Sequence, residues 1–482
     1  MDVCNLSASE LGAALRRREL SAAEALEAVL VRANLIEDSL KPFAVRLDDR
    51  ARRAAEAADA ALARGDGGAL CGIPLTIKDS HWLAGVTSAV GSRALADFVP
   101  SESSAAVERL EAAGAVIYAK TTTPEFCYFG ITESPMNGLT SNPWNVERTP
   151  GGSSGGAGAA VASGAGPLAL GGDGGGSIRI PSAFCGLVGF KPTFGLVARE
   201  PCSAGWKSLV SYGPMARTVA DARAMLLAIA GADARDRHSL SVDGLDSSAA
   251  DPGELRIAVS EDLGFARVDD DVRRAFRGTV AMLESAGATL VEDSPGLDSS
   301  VQTWSAIAVA DARHAEAELY ERHSDLVGAA ALRFMGYGDL VTTGQYLQAE
   351  MQRERIHRAY VELFARTGAS VLLTPTLGCE AFEHGSSHPA EIGGAAIEPP
   401  WHDWCGFLYD GNLAGLPACA VPVGLGDDQL PVSVQLLGLR GHDGAVLAAA
   451  EAVERLVGFD ARPPAPFAIS SDGPLHAQGD MS

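Results

Sequence analysis

No run of 18 or more uncharged apolar residues occurs in this 482-residue chain, so no membrane-spanning helix is expected. The start, Met1 to Ser9, lacks a basic patch followed by an apolar stretch; no secretion signal is read there, and the expected location is the cytoplasm. The eight cysteines stand singly, with no Cys-x-x-Cys, and read as reduced thiols serving mostly as small core residues. His-Glu-x-x-His and clustered histidines are missing, so no metal is expected. A Gly-x-x-x-x-Gly-Lys-Ser/Thr phosphate loop is missing too. Gly164-x-Gly166-x-x-Ala169 has the form of a relaxed dinucleotide fingerprint. However, Pro167 sits inside it and the residues before it look helical, so the match reads as coincidence and no cofactor is expected. Gly-x-Ser-x-Gly does not surround Ser177. Basic residues are few, 38 Lys and Arg against 61 Asp and Glu. The resulting net charge of −23 argues against a nucleic-acid surface, which needs a basic patch, and reads instead as a solubility feature.

What is present is ample material for a buried core, 47% hydrophobic with 21% charged residues. Ser7 with Glu10 and Ser21 with Glu24 fit the Ser-x-x-Glu capping box ahead of Ala/Leu-rich runs, and a further helix spans Asp48 to Arg64 before Gly65. The pattern then changes. Strands at Ile73–Ile77, Ala115–Tyr118, Leu255–Val259, Ala288–Val291, Val371–Leu373, Ala418–Val423 and Val432–Leu436 alternate with helices. The helices run over Ser103–Ala113, after Thr218, and over Asp269–Ala286, Ser305–Glu321, Gln345–Arg366 and Ala445–Leu456. Strands followed by helices of this length predict a layered α/β fold with a largely parallel sheet. No internal repeat and no clean boundary is found, so residues 1–482 are read as one domain with a helical N-terminal arm, 1–66. The stretch 234–254 and the tail 460–482 read as the loosest parts.

Between Thr149 and Gly195 the chain is rich enough in Gly and Ser to suggest a linker, but Ala159–Ala162, Leu168–Leu170 and Ile178–Pro181 interrupt it. A linker has no use for these apolar residues, whereas a packed site with close backbone approach needs the glycines between them. The run Thr149-Pro-Gly-Gly-Ser-Ser-Gly-Gly-Ala157 precedes Gly171-Gly-Asp-Gly-Gly-Gly-Ser-Ile-Arg-Ile-Pro181, and Gly72-Ile-Pro-Leu-Thr-Ile-Lys-Asp79 stands upstream. Lys78 and Ser153 are separated by 75 positions, Ser153 and Ser177 by 24. Together with Gly189-Phe-Lys-Pro-Thr193, Asn412-Leu-Ala-Gly-Leu-Pro-Ala418 and several shorter motifs in order, the chain resembles the amidase signature family along most of its length. The resemblance implies a large mixed, mostly parallel sheet with helices on both faces and a catalytic core over 72–217. It also implies an amidase with a Ser-cisSer-Lys triad: nucleophile Ser177, bridging Ser153 entered by a cis bond from Gly152, and base Lys78.

The residue types suit that chemistry. Serine attacks a carbonyl only if a base takes its proton, and apart from His81 no histidine lies near these motifs. Lysine can be that base when burial favours its neutral form, and Ile73, Leu75, Ile77 and Leu83 surround Lys78 in sequence with apolar residues. Gly174, Gly175 and Gly176 let backbone N–H groups converge on an oxyanion. Asp173 and Arg179 are read as an ion pair fixing the loop, a structural role carried over from the family. The family commonly has threonines where Gly172 and Gly174 stand here, which predicts a roomier pocket floor beside Gly174. Phe126, Tyr128, Phe129, Trp206, Trp401 and Trp404 gather where the family borders its acyl pocket, so hydrophobic or aryl amides are favoured. Esters and carbamates present a carbonyl to the same groups and remain an alternative. A second alternative is the A subunit of a glutamyl-tRNA amidotransferase, against which Ile180 and the aromatic residues argue; a third is a non-catalytic binding protein on the same scaffold. The expected partner is a small amide, ester or carbamate, with no nucleic acid and no membrane, and a homodimer as the assembly to test.

Overall fold

A computed structural model describes residues 2–203, 205–242, 244–245, 250–398 and 401–462. Helices begin where their caps place them. The hydroxyls of Ser7 and Ser21 accept the N–H of Glu10 and Glu24, whose carboxylates return to the cap N–H, opening helices Ala8–Arg16 and Ala22–Leu40. Gly65 closes Asp48–Arg64 in the left-handed conformation that costs glycine least. The single helix expected over 305–321 is in fact two, Val301–Ala315 and Ala317–Arg322, broken at Glu316.

The first strands are β1 (Phe43–Arg46), β2 (Pro74–Lys78), β3 (Val116–Thr121), β4 (Glu133–Ser134) and β5 (Gly138–Leu139). Then come β6 (Leu168–Asp173), β7 (Val188–Lys191), β8 (Ser211–Ala216), β9 (Arg256–Val259) and β10 (Thr289–Glu292). The last are β11 (Val371–Pro375), β12 (Glu391–Ile392), β13 (Ala395–Ala396), β14 (Ala418–Leu425) and β15 (Pro431–Leu437). Eleven of them form one mixed sheet, ordered β1-β3-β2-β6-β8-β7-β14-β15-β11-β9-β10, while β4–β5 and β12–β13 are separate hairpins. The layered α/β expectation holds, but the balance of directions differs from a mostly parallel sheet. The pairs β2–β3, β2–β6, β9–β10 and β9–β11 are parallel, and the remaining pairs of the large sheet are antiparallel. Connection length accounts for some of these pairs, and the rest follow from which non-consecutive strands become neighbours. Helix Ala105–Ala112 carries β2 to β3 and helix Asp270–Ser285 carries β9 to β10, long enough for a parallel return. The short turn from Leu425 to Pro431 permits only reversal.

Strand alternation sends residues to two cores. Ile257, Val259, Val371 and Leu373 enter a cluster with helices 8–40, 219–229 and 443–457, whereas Ala258 and Leu372 enter one with helices 301–315 and 343–367. Leu11, Leu15, Leu26 and Val29 share the first cluster with Ile73, Leu75 and Leu168, so the N-terminal helices form part of the main core. Among the described residues no helix is long and apolar enough to cross a membrane. Of the stretches read as loose, positions 243, 246–249 and 463–482 lie outside the described residues.

The sheet sets the site. β2 and β6 run parallel as neighbours, so Lys78 at the end of β2 and the chain leaving β6 at Asp173 emerge on the same edge.

One long-range cap ties the first helix to this frame. Asp221 is buried, and its carboxylate accepts the N–H of Ala8 and Ser9 at 2.8 and 2.9 Å and the Ser9 hydroxyl at 2.7 Å. Asp221→Ala strands these donors and is expected to cost about 2 kcal/mol in urea unfolding. A change below a few tenths of a kcal/mol, the usual size for an unconstrained surface site, would show that the cap carries no stability.

Candidate active site

Lys78 is 2% exposed at the end of β2, and its Nζ lies 2.6 Å from the Ser153 hydroxyl and 3.4 Å from the Gly172 carbonyl. Burial pushes its pKa below the ordinary lysine range, opposed by Cys127 and then Asp173. Ser153 is entered by a cis bond from Gly152, and a side chain at Gly152 would begin 2.3 Å from the Ile131 carbonyl. Ser177 is 7% exposed and lines the same cavity as Lys78 and Ser153. Its hydroxyl makes no hydrogen bond with a described residue. The lysine–serine link is therefore in hydrogen-bond contact, and the link between the two serines is open. His81 is fully buried edge-on to Tyr212, with ring centroids 4.1 Å apart. Burial, then Lys78, pushes its imidazole well below the usual pKa, so it stays neutral.

The loop from β6 into helix Arg179–Cys185 is organised by one carboxylate. Asp173 accepts the N–H of Gly176 at 2.7 Å and of Ile178 at 3.2 Å, and pairs with Arg179 Nε at 2.9 Å and Nη2 at 3.1 Å. Arg179 also reaches the side-chain oxygen of Asn412 at 2.7 Å, and Asn412 donates back to Asp173 at 2.9 Å. Burial alone would raise the Asp173 carboxyl; Arg179 first, then Lys191 and Asn412, hold it far below the usual range. The cation Lys191 is itself pushed down to about 7, by burial and then by Arg179. Of the three glycines, Gly176 has φ +117° and its N–H is committed to Asp173, which leaves Gly174 and Gly175 to aim backbone donors elsewhere. The floor beside Gly174 is not roomier: a Cβ there would lie 2.8 Å from the Trp206 ring, which fills the space.

Two cavities meet at Ser177. One, of about 80 Å³, is bordered by Lys78, Ser153, Phe126, Tyr128, Trp206 and Glu316. The other, of about 490 Å³, is walled by Tyr128, Phe129, Trp206, Trp304, Phe334 and Trp404. Tyr128 stacks on Phe334 at 4.8 Å, and Trp206 meets Trp304 edge-on at 5.4 Å. Trp304 donates its indole N–H to the Gly174 carbonyl at 2.8 Å, which ties the aromatic wall to the glycine loop. The side chain of Trp401 lies outside the described ones. Trp304, Phe334 and Glu316 escaped the sequence reading because they stand on helices or at a helix break without a motif, and Cys127, between Phe126 and Tyr128, was passed over. Only their proximity to Ser177 in the folded chain singles them out.

The sequence model for the family described as Amidase matches residues 24–447. The A subunit of glutamyl-tRNA(Gln) amidotransferase from Carboxydothermus hydrogenoformans is 35% identical over 96% of this chain and 100% of its own length. Among solved structures, a bacterial aryl acylamidase of the amidase signature family superposes with a TM-score of 0.87 at 28% identity, covering 94% of this chain and 96% of that one. The corresponding amidotransferase subunit from Thermotoga maritima superposes with a TM-score of 0.78 at 28% identity, covering 97% and 98%.

The Asp173–Arg179 pair has a measurable consequence. Asp173→Ala leaves Arg179 buried with its main counter-charge gone and is expected to cost about 3–5 kcal/mol. In the intact protein the depressed carboxyl contributes stability above the ordinary carboxylate range, and that contribution is lost as pH falls through the folded-state pKa. The variant's melting temperature should therefore be lower at neutral pH, with the gap narrowing toward strong acid. A gap independent of pH would refute the electrostatic origin.

Proposed function

The chain belongs to the Amidase family, an enzyme family acting on C–N bonds, and on that premise we propose that it hydrolyses small amides through an acyl-enzyme on Ser177. Neutral Lys78 takes the proton of Ser153 while Ser153 takes that of Ser177, which attacks the carbonyl carbon. The oxyanion meets backbone N–H groups of the loop at Gly174 and Gly175. On collapse the C–N bond breaks and the amine leaves with the proton returned through Ser153. Water, activated by the same relay, then cleaves the ester and frees the acid. The observation that carries this reading is the 2.6 Å contact between Lys78 and Ser153 inside the cavity that also holds Ser177. The open serine–serine link is compatible with it, since catalytic hydrogen bonds often tighten only when substrate binds. The aromatic walls of the wider cavity support an apolar or aryl limb on the substrate. Esters and carbamates fit the same machinery.

The curated relatives favour a second reading, the glutamine-hydrolysing A subunit of a glutamyl-tRNA amidotransferase. Ile180, 2% exposed, and the rings of the wider cavity support the first reading, because the polar ends of glutamine gain nothing from them.

The purified chain alone separates the two. Arylamine release from anilides without ammonia release from glutamine is expected; the reverse establishes the amidotransferase reading. A fluorophosphonate should label Ser177, as read by peptide mass mapping, and labelling confined to another serine removes it as nucleophile.

The base is tested by pH and substitution. Burial lowers the pKa of Lys78, and the neutral form does the work, so kcat/KM should climb as pH rises toward the ordinary lysine range. Lys78→Ala should lose at least about a thousandfold, on the scale of other nucleophile–base units. Lys78→Arg should do no better, because a guanidinium does not deprotonate. Near-normal activity in Lys78→Arg refutes the general-base role.

A further inference from the structure

Glu316 stands where helix Val301–Ala315 breaks before Ala317–Arg322, and it borders the narrow cavity that holds Lys78, Ser153 and Ser177. Its backbone is satisfied: the N–H goes to Ala312 and the carbonyl accepts Tyr320. Its carboxylate has neither a hydrogen bond nor an ion pair with any described residue. Glu37, away from this cavity, also has a buried oxygen without a donor, but three other partly buried carboxylates are supplied with donors. Glu125 accepts the Ser92 hydroxyl at 2.6 Å and the Gly328 N–H at 2.9 Å. Glu454 accepts the Val219 N–H at 2.8 Å, and Glu380 accepts the N–H groups of Asp428 and Leu430 at 3.1 Å. Glu316 alone of these five borders the reaction cavity, and its carboxylate is left without a donor.

A half-buried acceptor on the wall of that cavity is what a ligand's N–H groups would satisfy. Burial pushes the Glu316 carboxyl up to about 7, and no cation is near enough to oppose it. Arg199 also lines the cavity, but it donates to the Lys207 carbonyl and sits over the Tyr212 ring, 5.7 Å from its centroid. Phe126, Tyr128 and Trp206 supply aromatic faces beside Ser80, Cys127, Cys202 and Ser203, with the Tyr128 and Trp206 rings 5.6 Å apart. Aromatic faces and a carboxylate together favour a cation over a neutral group of the same size. The Lys78 side chain adds no repulsion in the form that catalysis requires, which is neutral.

We propose that Glu316 is a specificity residue selecting substrates with an ammonium group on the short limb seated in the narrow cavity, while the aryl limb occupies the wider one. The volumes, about 80 and 490 Å³, suit a short chain on one side of Ser177 and a ring system on the other. This rests on the hydrolase reading above for its chemistry but not for its test.

The test compares the 4-nitroanilides of β-alanine and of butyrate, which differ by an ammonium in place of a methyl group. The wild-type protein should favour the β-alanine compound in kcat/KM by about tenfold or more, the scale of one charge-assisted hydrogen bond. Glu316→Gln keeps the shape and removes the charge, and should bring the ratio close to one; Glu316→Asp should keep part of the preference. A wild-type preference for butyrate, or a ratio unchanged in Glu316→Gln, overturns the proposal. If neither anilide is cleaved, the hydrolase reading falls, and calorimetric titration with propylammonium against propanol still decides this one. Tighter binding of propylammonium that is lost in Glu316→Gln upholds it, and equal binding of the two probes refutes it. Unfolding curves of both variants certify the fold; Glu316→Gln removes a carboxylate that burial disfavours, so it should unfold no earlier than wild type at alkaline pH.

Discussion

Asp173 and Arg179 are both sealed from solvent, and the geometry of the site follows from the contact between them. The carboxylate collects the N–H groups of Gly176 and Ile178, while the guanidinium reaches Asn412 on helix Tyr409–Leu413 and Gln435 on β15. A buried pair of charges is stable only when its remaining lone pairs and protons are also satisfied, and here the loop backbone satisfies them. The loop is thereby held in one shape from the end of β6 to the helix after Ser177. Gly176 can take its positive φ, and Ser177 is delivered to the point where two cavities meet.

Burial acts on Lys78 in the opposite sense. Desolvation favours its neutral form against the opposing pull of Cys127 and Asp173, and its nearest hydrogen-bond partners are a serine hydroxyl and a backbone carbonyl. Lys120, one strand over, is also buried, but it pairs with Asp79 at 3.1 Å. Two buried lysines on adjacent strands thus have different environments: one has a carboxylate at contact distance, and the other faces two serines in a cavity. Tertiary packing sets that difference, since both stand at the ends of apolar strands.

The aromatic wall shows where sequence reading works and where it stops. Tyr128, Trp206 and Trp404 line the cavities and lie beside recognisable motifs. Trp304 and Phe334 complete the wall from helices with no motif, brought in because helices 301–315 and 329–336 fold over the glycine loop. The roomier floor predicted beside Gly174 failed for the same reason: a distant ring occupies the space that the missing side chain vacates.

Capping boxes, glycine-terminated helices and seven of the eleven strands of the large sheet were legible because they depend on residues within a turn or two of one another, whereas β1, β6, β7 and β8 were not expected. The family was legible because its motifs are local and ordered along the chain. Sheet direction was not, since it depends on which strands become neighbours, and the mixed order β6-β8-β7-β14-β15 places antiparallel pairs in its middle. The sequence by itself determined the local elements, the family and the residue types available for chemistry. Only the tertiary structure decided which side chains share a cavity, which buried charges have partners, and that the Glu316 carboxylate borders the cavity of Lys78, Ser153 and Ser177 with no partner among the described residues. Most of those properties belong to distances between segments tens to hundreds of residues apart, and hydrophobic burial fixes such distances without leaving a pattern in either segment alone.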